Sequence, residues 1–174
     1  MSIDHARILF ERPDLQELTR SSTRSWTCIS TATCRTGTLR SKTSRSRAME
    51  LGIGIAVTDH NSIHGAVEID RFKSVFSIPG IELTSYEGTH LLVYFYEIKS
   101  LLRFYSQHVQ PFMGAEIMSS LSLELEDLIQ RARKFETLII FPHPYCGSYT
   151  GIHNPYFNDE RFERSCWSWR TGWR

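Results

Sequence analysis

Long hydrophobic runs are missing from this 174-residue chain, and none approaches the ~18 consecutive apolar residues of a membrane-spanning helix. Its first residues, Met-Ser-Ile-Asp-His-Ala-Arg, lack the apolar stretch of a secretory signal, so the expected address is the cytoplasm, with no membrane partner. Cysteine is scarce. Cys28, Cys34, Cys146 and Cys166 form no CxxC pair and are too few for a disulfide scaffold. Neither sign of charge dominates: 20 basic residues against 19 acidic ones leave a net charge of +1, which argues against a global affinity for nucleic acid or membrane surfaces. No internal repeat is visible. What is present is ordinary for one globular domain: 41% apolar and 22% charged residues, enough to bury a core.

Acidic residues are missing locally as well. Residues 21–47 hold fourteen Ser or Thr and six Lys or Arg, with no Asp or Glu. Residues 164–174 carry three Arg and three of the four Trp, again without an acid. The remaining chain has a net charge of −8, so two basic patches mask an acidic domain. The expected organisation is an N-terminal extension over 1–20, an anomalous segment over 21–47, a domain over 48–164 and an anomalous tail over 165–174. Taken literally, the first patch is a basic linker able to touch phosphate backbones.

Between the patches, strand and helix patterns alternate. Residues 48–51 resemble a helix end stopped by Gly52. Ile53–Thr58 (IGIAVT) is a short β-branched apolar run, the pattern of a buried parallel strand. Ile63–Phe72 has helical apolar spacing. Val75–Leu83, Leu91–Tyr96 and Thr137–Phe141 read as further strands, and Ser122 as the N-cap of a helix over Leu123–Phe135. This alternation predicts an α/β fold with a parallel sheet or barrel.

The polar residues that carry chemistry fall at the predicted strand ends. Asp59 and His60 follow IGIAVT, Glu82 ends the next strand, His90 opens LLVYFY, and His143 stands between two prolines after TLIIF. In parallel α/β folds the loops at the carboxyl edge of the strands converge on one crevice. Three imidazoles and two carboxylates form the donor set favoured by Zn²⁺, Mn²⁺ and Fe²⁺. Taken singly, each residue has a plainer explanation. Asp59 or Asn61 can cap the following helix, His60 or His90 can be a satisfied structural histidine, Glu82 can be surface, and His143 can shape a turn. Their coincidence at successive strand ends favours a metal site. His5, His64, His108 and His153 are read as structural, and Cys146 has no base partner that would make it a nucleophile.

The segments Ala48-Met49-Glu50-Leu51-Gly52, Thr58-Asp59-His60-Asn61, Pro79-Gly80-Ile81-Glu82, His90 and Pro142-His143-Pro144 together resemble the PHP (polymerase and histidinol phosphatase) superfamily in order and spacing. The resemblance implies a distorted (β/α)7 TIM-like barrel, here incomplete, with two or three divalent metal ions (Mn, Zn, Fe or Mg). It makes His60, Glu82, His90 and His143 metal ligands and places Asp59 behind His60 as its orienting partner, so that Asp59 and His60 carry the catalytic role. The implied activity is phosphoester hydrolysis by metal-activated water, on a phosphomonoester, a nucleotide or short nucleic-acid ends.

Two family elements are missing. The opening Asp-Leu-His-x-His motif should lie before Ala48, inside the Ser/Thr/Arg patch, and a closing Asp-x-His motif is not seen. The genetic code accounts for the first. Reading from the third base of the Trp26 codon makes the next codon GAC, which is Asp without ambiguity. The following codons permit Asp-Leu-His-Ile-His-Ser-x-Leu-Ser-Asn-Gly. The same shift turns Cys166–Trp173 into an apolar strand-like run. Residues 21–47 and 165–174 are therefore expected to be frameshifted translations, with the domain truncated after about residue 164. The chain as written is then expected to be weakly folded and impaired in activity. A competing expectation is a catalytically inactive remnant that binds nucleic acid or protein through its basic arm; another is metal-assisted hydrolysis of a non-phosphate substrate. Oligomeric state has no sequence signal.

Overall fold

The computed structural model describes residues 26–31 (backbone only), 45–115, 119–144, 146 and 150–152. The extension over 1–20, the tail over 165–174 and most of 21–47 lie outside the described residues.

Within the anomalous segment, Trp26–Thr31 forms strand β1. Helix α1, residues 45–51, ends at Gly52, whose φ of +63° reverses the chain at no steric cost. Strand β2, Gly54–Asp59, is buried at all six positions, which is why its sequence is nearly uninterrupted in apolar residues. Helix α2 (His64–Asp70) and strands β3 (Ser77–Thr84) and β4 (His90–Phe95) follow. Helix α3, Ile98–Phe104, continues through a π turn over Tyr105–Val109 and a 3-10 turn over Gln110–Phe112. Helix α4 (Leu125–Ala132) and strand β5 (Thr137–Ile140) complete the described elements. The N-cap position of α4 is Glu124, not the expected Ser122. The Leu125 N–H donates instead to both carboxylate oxygens of Glu87, at 3.2 and 3.1 Å, so the β3–β4 turn caps this helix.

The strands form one five-stranded sheet in the order β1-β2-β3-β4-β5. β1–β2 and β2–β3 are parallel, whereas β3–β4 and β4–β5 are antiparallel. This corrects the expected fold class. A (β/α)7 TIM-like barrel, even an incomplete one, needs strands running one way around a curve that closes, and the described sheet is mixed and open. The physical reason is local: residues 85–89 between β3 and β4 are too few for a parallel crossover, which takes a dozen or more.

One face of the sheet carries the core. Ile81, Leu83, Leu91, Val93 and Phe95 pack with Leu101 and Phe104 of α3 and with Leu125, Leu128 and Ile129 of α4. A smaller cluster, Ala48, Ile55, Val57, Ile69 and Val75, sits where α1 and α2 meet β2. The opposite face follows from the register pairs Ala56↔Ile78, Gly80↔Tyr94, Glu82↔Leu92, Tyr94↔Leu138 and Leu92↔Ile140. It is apolar from Ala56 and Ile78 to Leu138 and Ile140, and turns polar toward the edge that carries Thr58, Glu82, Thr84 and His90. A cavity of about 470 Å³ opens on this face, lined by Ala56, Ile78, Pro79, Tyr94, Leu138 and Ile140. Among the described residues, no helix is long and apolar enough to cross a membrane.

Candidate metal centre

Mixed strand direction gathers the polar residues at one edge of the sheet. β2 and β3 run toward that edge, so Asp59 and His60 arrive at the end of β2 and Glu82 stands two residues before the end of β3. β4 runs away from it, so its first residue, His90, lies opposite Thr84 and on the same face as Glu82. His143 reaches the cluster after β5, held in a left-handed backbone conformation with φ of +33°.

Glu82 is the hub. It is only 3% exposed. Its Oε1 lies 3.0 Å from His90 Nδ1 and 3.8 Å from His143 Nε2, and its Oε2 lies 3.6 Å from His60 Nε2. His90 Nδ1 is 3.3 Å from His143 Nε2, and the His60 and His90 rings meet edge to face at 4.7 Å between centroids. One donor atom from each of His60, Glu82 and His90 fits within 4.8 Å of the others, so these three residues can hold a metal ion. Donors bound at about 2.1 Å to one cation stand about 3–4 Å apart, and the Glu82–His90 and Glu82–His60 separations of 3.0 and 3.6 Å fall in that range. His143 is more exposed than the other two imidazoles and stands at the rim of the set, with its Nδ1 3.4 Å from Thr150 Oγ1.

Burial is the main cause that pushes the His60 pKa below its ordinary value. The Glu82 carboxylate opposes that shift, His90 and His143 add to it, and Asp59 opposes it. A neutral His60 keeps a lone pair for a cation, and a buried carboxylate ringed by imidazoles is a costly arrangement without positive charge.

Asp59, which acts on the His60 charge, also reaches the next helix. Its Oδ2 accepts a hydrogen bond from the Gly65 N–H at 2.9 Å, tying the end of β2 to the first turn of α2. Of the two roles weighed for Asp59, this contact matches the helix-capping one. The other histidines divide. His64 is exposed on α2, whereas His108 is half-buried against the rings of Phe104 and Phe135. His5 and His153 lie outside the described residues. The Cys146 N–H donates to the His143 carbonyl at 2.9 Å, so Cys146 helps shape the turn that presents this imidazole.

The sequence alone assigns two contributors no part in the site. Thr150 accepts the His90 N–H on its carbonyl at 2.9 Å, and Asn61 binds the end of β3. Both act across long sequence separations, which no periodicity reports. Comparison with protein-family models, with curated proteins and with solved structures finds no match.

Proposed function

We propose that the chain is a metal-dependent phosphoesterase whose centre is built on His60, Glu82 and His90, with His143 at its rim. The observation that carries this reading is the donor set itself: two imidazoles around a buried carboxylate, with ligating atoms within 4.8 Å of one another. The PHP-like motifs on the same residues support phosphoester chemistry in the cytoplasm, on a phosphomonoester, a nucleotide or short nucleic-acid ends. A divalent ion there (Mn, Zn, Fe or Mg) would supply Lewis acidity toward a phosphoryl oxygen and make water a better nucleophile near neutral pH. The residues themselves supply the rest. Glu82 contributes the negative charge that favours a cation, and ring nitrogens of His60 and His90 contribute lone pairs. The described donors suffice for one cation. The two or three ions of the PHP pattern would require the histidines of the shifted reading frame, so the chain as written is proposed to be impaired.

The test is a titration of the full 174-residue chain with Mn²⁺ and with Zn²⁺, alongside turnover of p-nitrophenyl phosphate and of a simple lactone. Wild type is expected to bind one ion per chain, Glu82→Gln to bind at least ~100-fold more weakly, and any turnover to be confined to the phosphoester. Equal affinity in wild type and Glu82→Gln would refute the centre. Lactone turnover without phosphoester turnover would refute the substrate class.

A further inference from the structure

We infer that Asn61 is the positioning residue of the metal centre, the side chain that locks the His60 loop onto β3 at Glu82; this rests on the metal reading proposed above. Asn61 is fully buried and adopts φ of +47°, a left-handed conformation that Asn tolerates better than most residues. From the sequence, Asn61 is a candidate cap for α2. That helix has Ile63 at its N-cap position, and the side chain that accepts from its first turn is Asp59, not Asn61.

Asn61 binds elsewhere, and its contacts converge on the cluster. Its backbone N–H donates to the Glu82 carbonyl at 2.7 Å. Its Oδ1 accepts the Thr84 N–H at 3.0 Å, and its Nδ2 donates to the Ser119 carbonyl at 2.8 Å. The Leu121 N–H closes the arrangement by donating to the Thr84 carbonyl at 2.9 Å. One buried amide thus fixes three chain segments: the loop bearing His60, the strand end bearing Glu82 with His90 opposite, and the 119–121 loop that covers them. The left-handed turn matters because it sends the chain back toward α2 straight after His60, leaving that imidazole beside Glu82. Buried hydrogen bonds of this kind make ligands converge before a cation arrives, and losing such outer partners commonly weakens metal binding ~10–100-fold.

Three variants of the full chain separate positioning from simple stability. Asn61→Gly keeps the backbone conformation and deletes both side-chain bonds. Asn61→Asp keeps the acceptor for Thr84. Leu128→Ala is a core truncation on α4 that destabilises away from the centre. Two readouts are taken: Mn²⁺ and Zn²⁺ affinity, and the proton NOE between the His60 and His90 rings without metal. Asn61→Gly is expected to lose ~10–100-fold in affinity and the ring NOE. Leu128→Ala is expected to melt lower yet retain both. If Asn61→Gly does not fold, Asn61→Asp decides, because the Thr84 bond alone should preserve the NOE. Unchanged affinity and NOE in Asn61→Gly, loss of both in Leu128→Ala, or a folded Asn61→Asp without the NOE would each overturn the inference. A wild-type chain that shows the NOE but binds neither ion overturns the metal reading and leaves the positioning intact.

Discussion

Two partly buried histidines, His60 beside Glu82 and His108 beside Phe104 and Phe135, link protonation to folding in this chain. His60 and His108 both titrate below their ordinary value, each chiefly because burial disfavours the charged ring. For His108 the nearby Arg131 and Lys134 push the same way. The unfolded chain therefore binds more protons than the folded one just below the ordinary histidine pKa of 6.5. Stability is then full above about pH 6.5 and falls as the pH drops through the lowered folded values. The metal-free chain should melt highest above that pH, and His108→Gln should flatten part of the acid-side decline in melting temperature. A decline of unchanged slope would show that His108 does not contribute. At this scale much of the candidate site was legible in the sequence. Asp59, His60, Glu82, His90 and His143 stand out in the sequence as ligand-type residues at strand ends, and the last four of these meet in space. Asn61 was legible only as a generic cap, because its amide bond to Ser119 spans 58 residues and leaves no local pattern.

Elements reveal a second constraint, the tight join between β2 and α2. A Cβ at Gly65 would lie 2.5 Å from Asp59 Oδ2 and 2.7 Å from Val57 Cγ1, both on the strand that delivers His60. Gly65→Ala should therefore push the first turn of α2 off β2, break the Asp59 bond and cost about 1–3 kcal/mol, read as a lower melting temperature. The same change at Gly88 meets nothing within 4 Å but sits at φ of +86°, so its cost would come from backbone conformation alone. An unaltered melt for Gly65→Ala would mean that the two elements are not rigidly joined. Strands β2 to β5 and helices α2 and α4 were all readable from apolar spacing. Helix α3 was missed, although Ile98, Leu101, Tyr105 and Val109 recur at helical intervals; its run then breaks into π and 3-10 turns, which blurs the period. The direction of β4 was misjudged through the assumption of strict strand-helix alternation. The five-residue link that contains Gly88 is hairpin chemistry, and counting it would have given the antiparallel pair.

At the scale of the whole molecule, the open sheet and the anomalous segment bear on one question. β1 pairs with β2 in full register, placing Ile29, Ser30 and Thr31 opposite Val57, Thr58 and Asp59. In the shifted frame, the codons that straddle Cys28–Ile29 and Ser30–Thr31 permit histidine. Two histidines encoded there would stand along the end of β1 at the edge where His60 and Glu82 lie, adjacent to the cluster through a single strand. Two chains should therefore differ in a single countable property. The chain as written is expected to carry one divalent ion, and a chain with the frame restored over residues 21–47 is expected to carry two or three, with phosphoester turnover rising in step. Sequencing the coding DNA across that region fixes which chain the gene encodes, and metal content per chain then decides the assignment. Equal metal content in the two chains would mean that the shifted histidines do not join the centre. The mixed sheet would then support a one-ion site on its own.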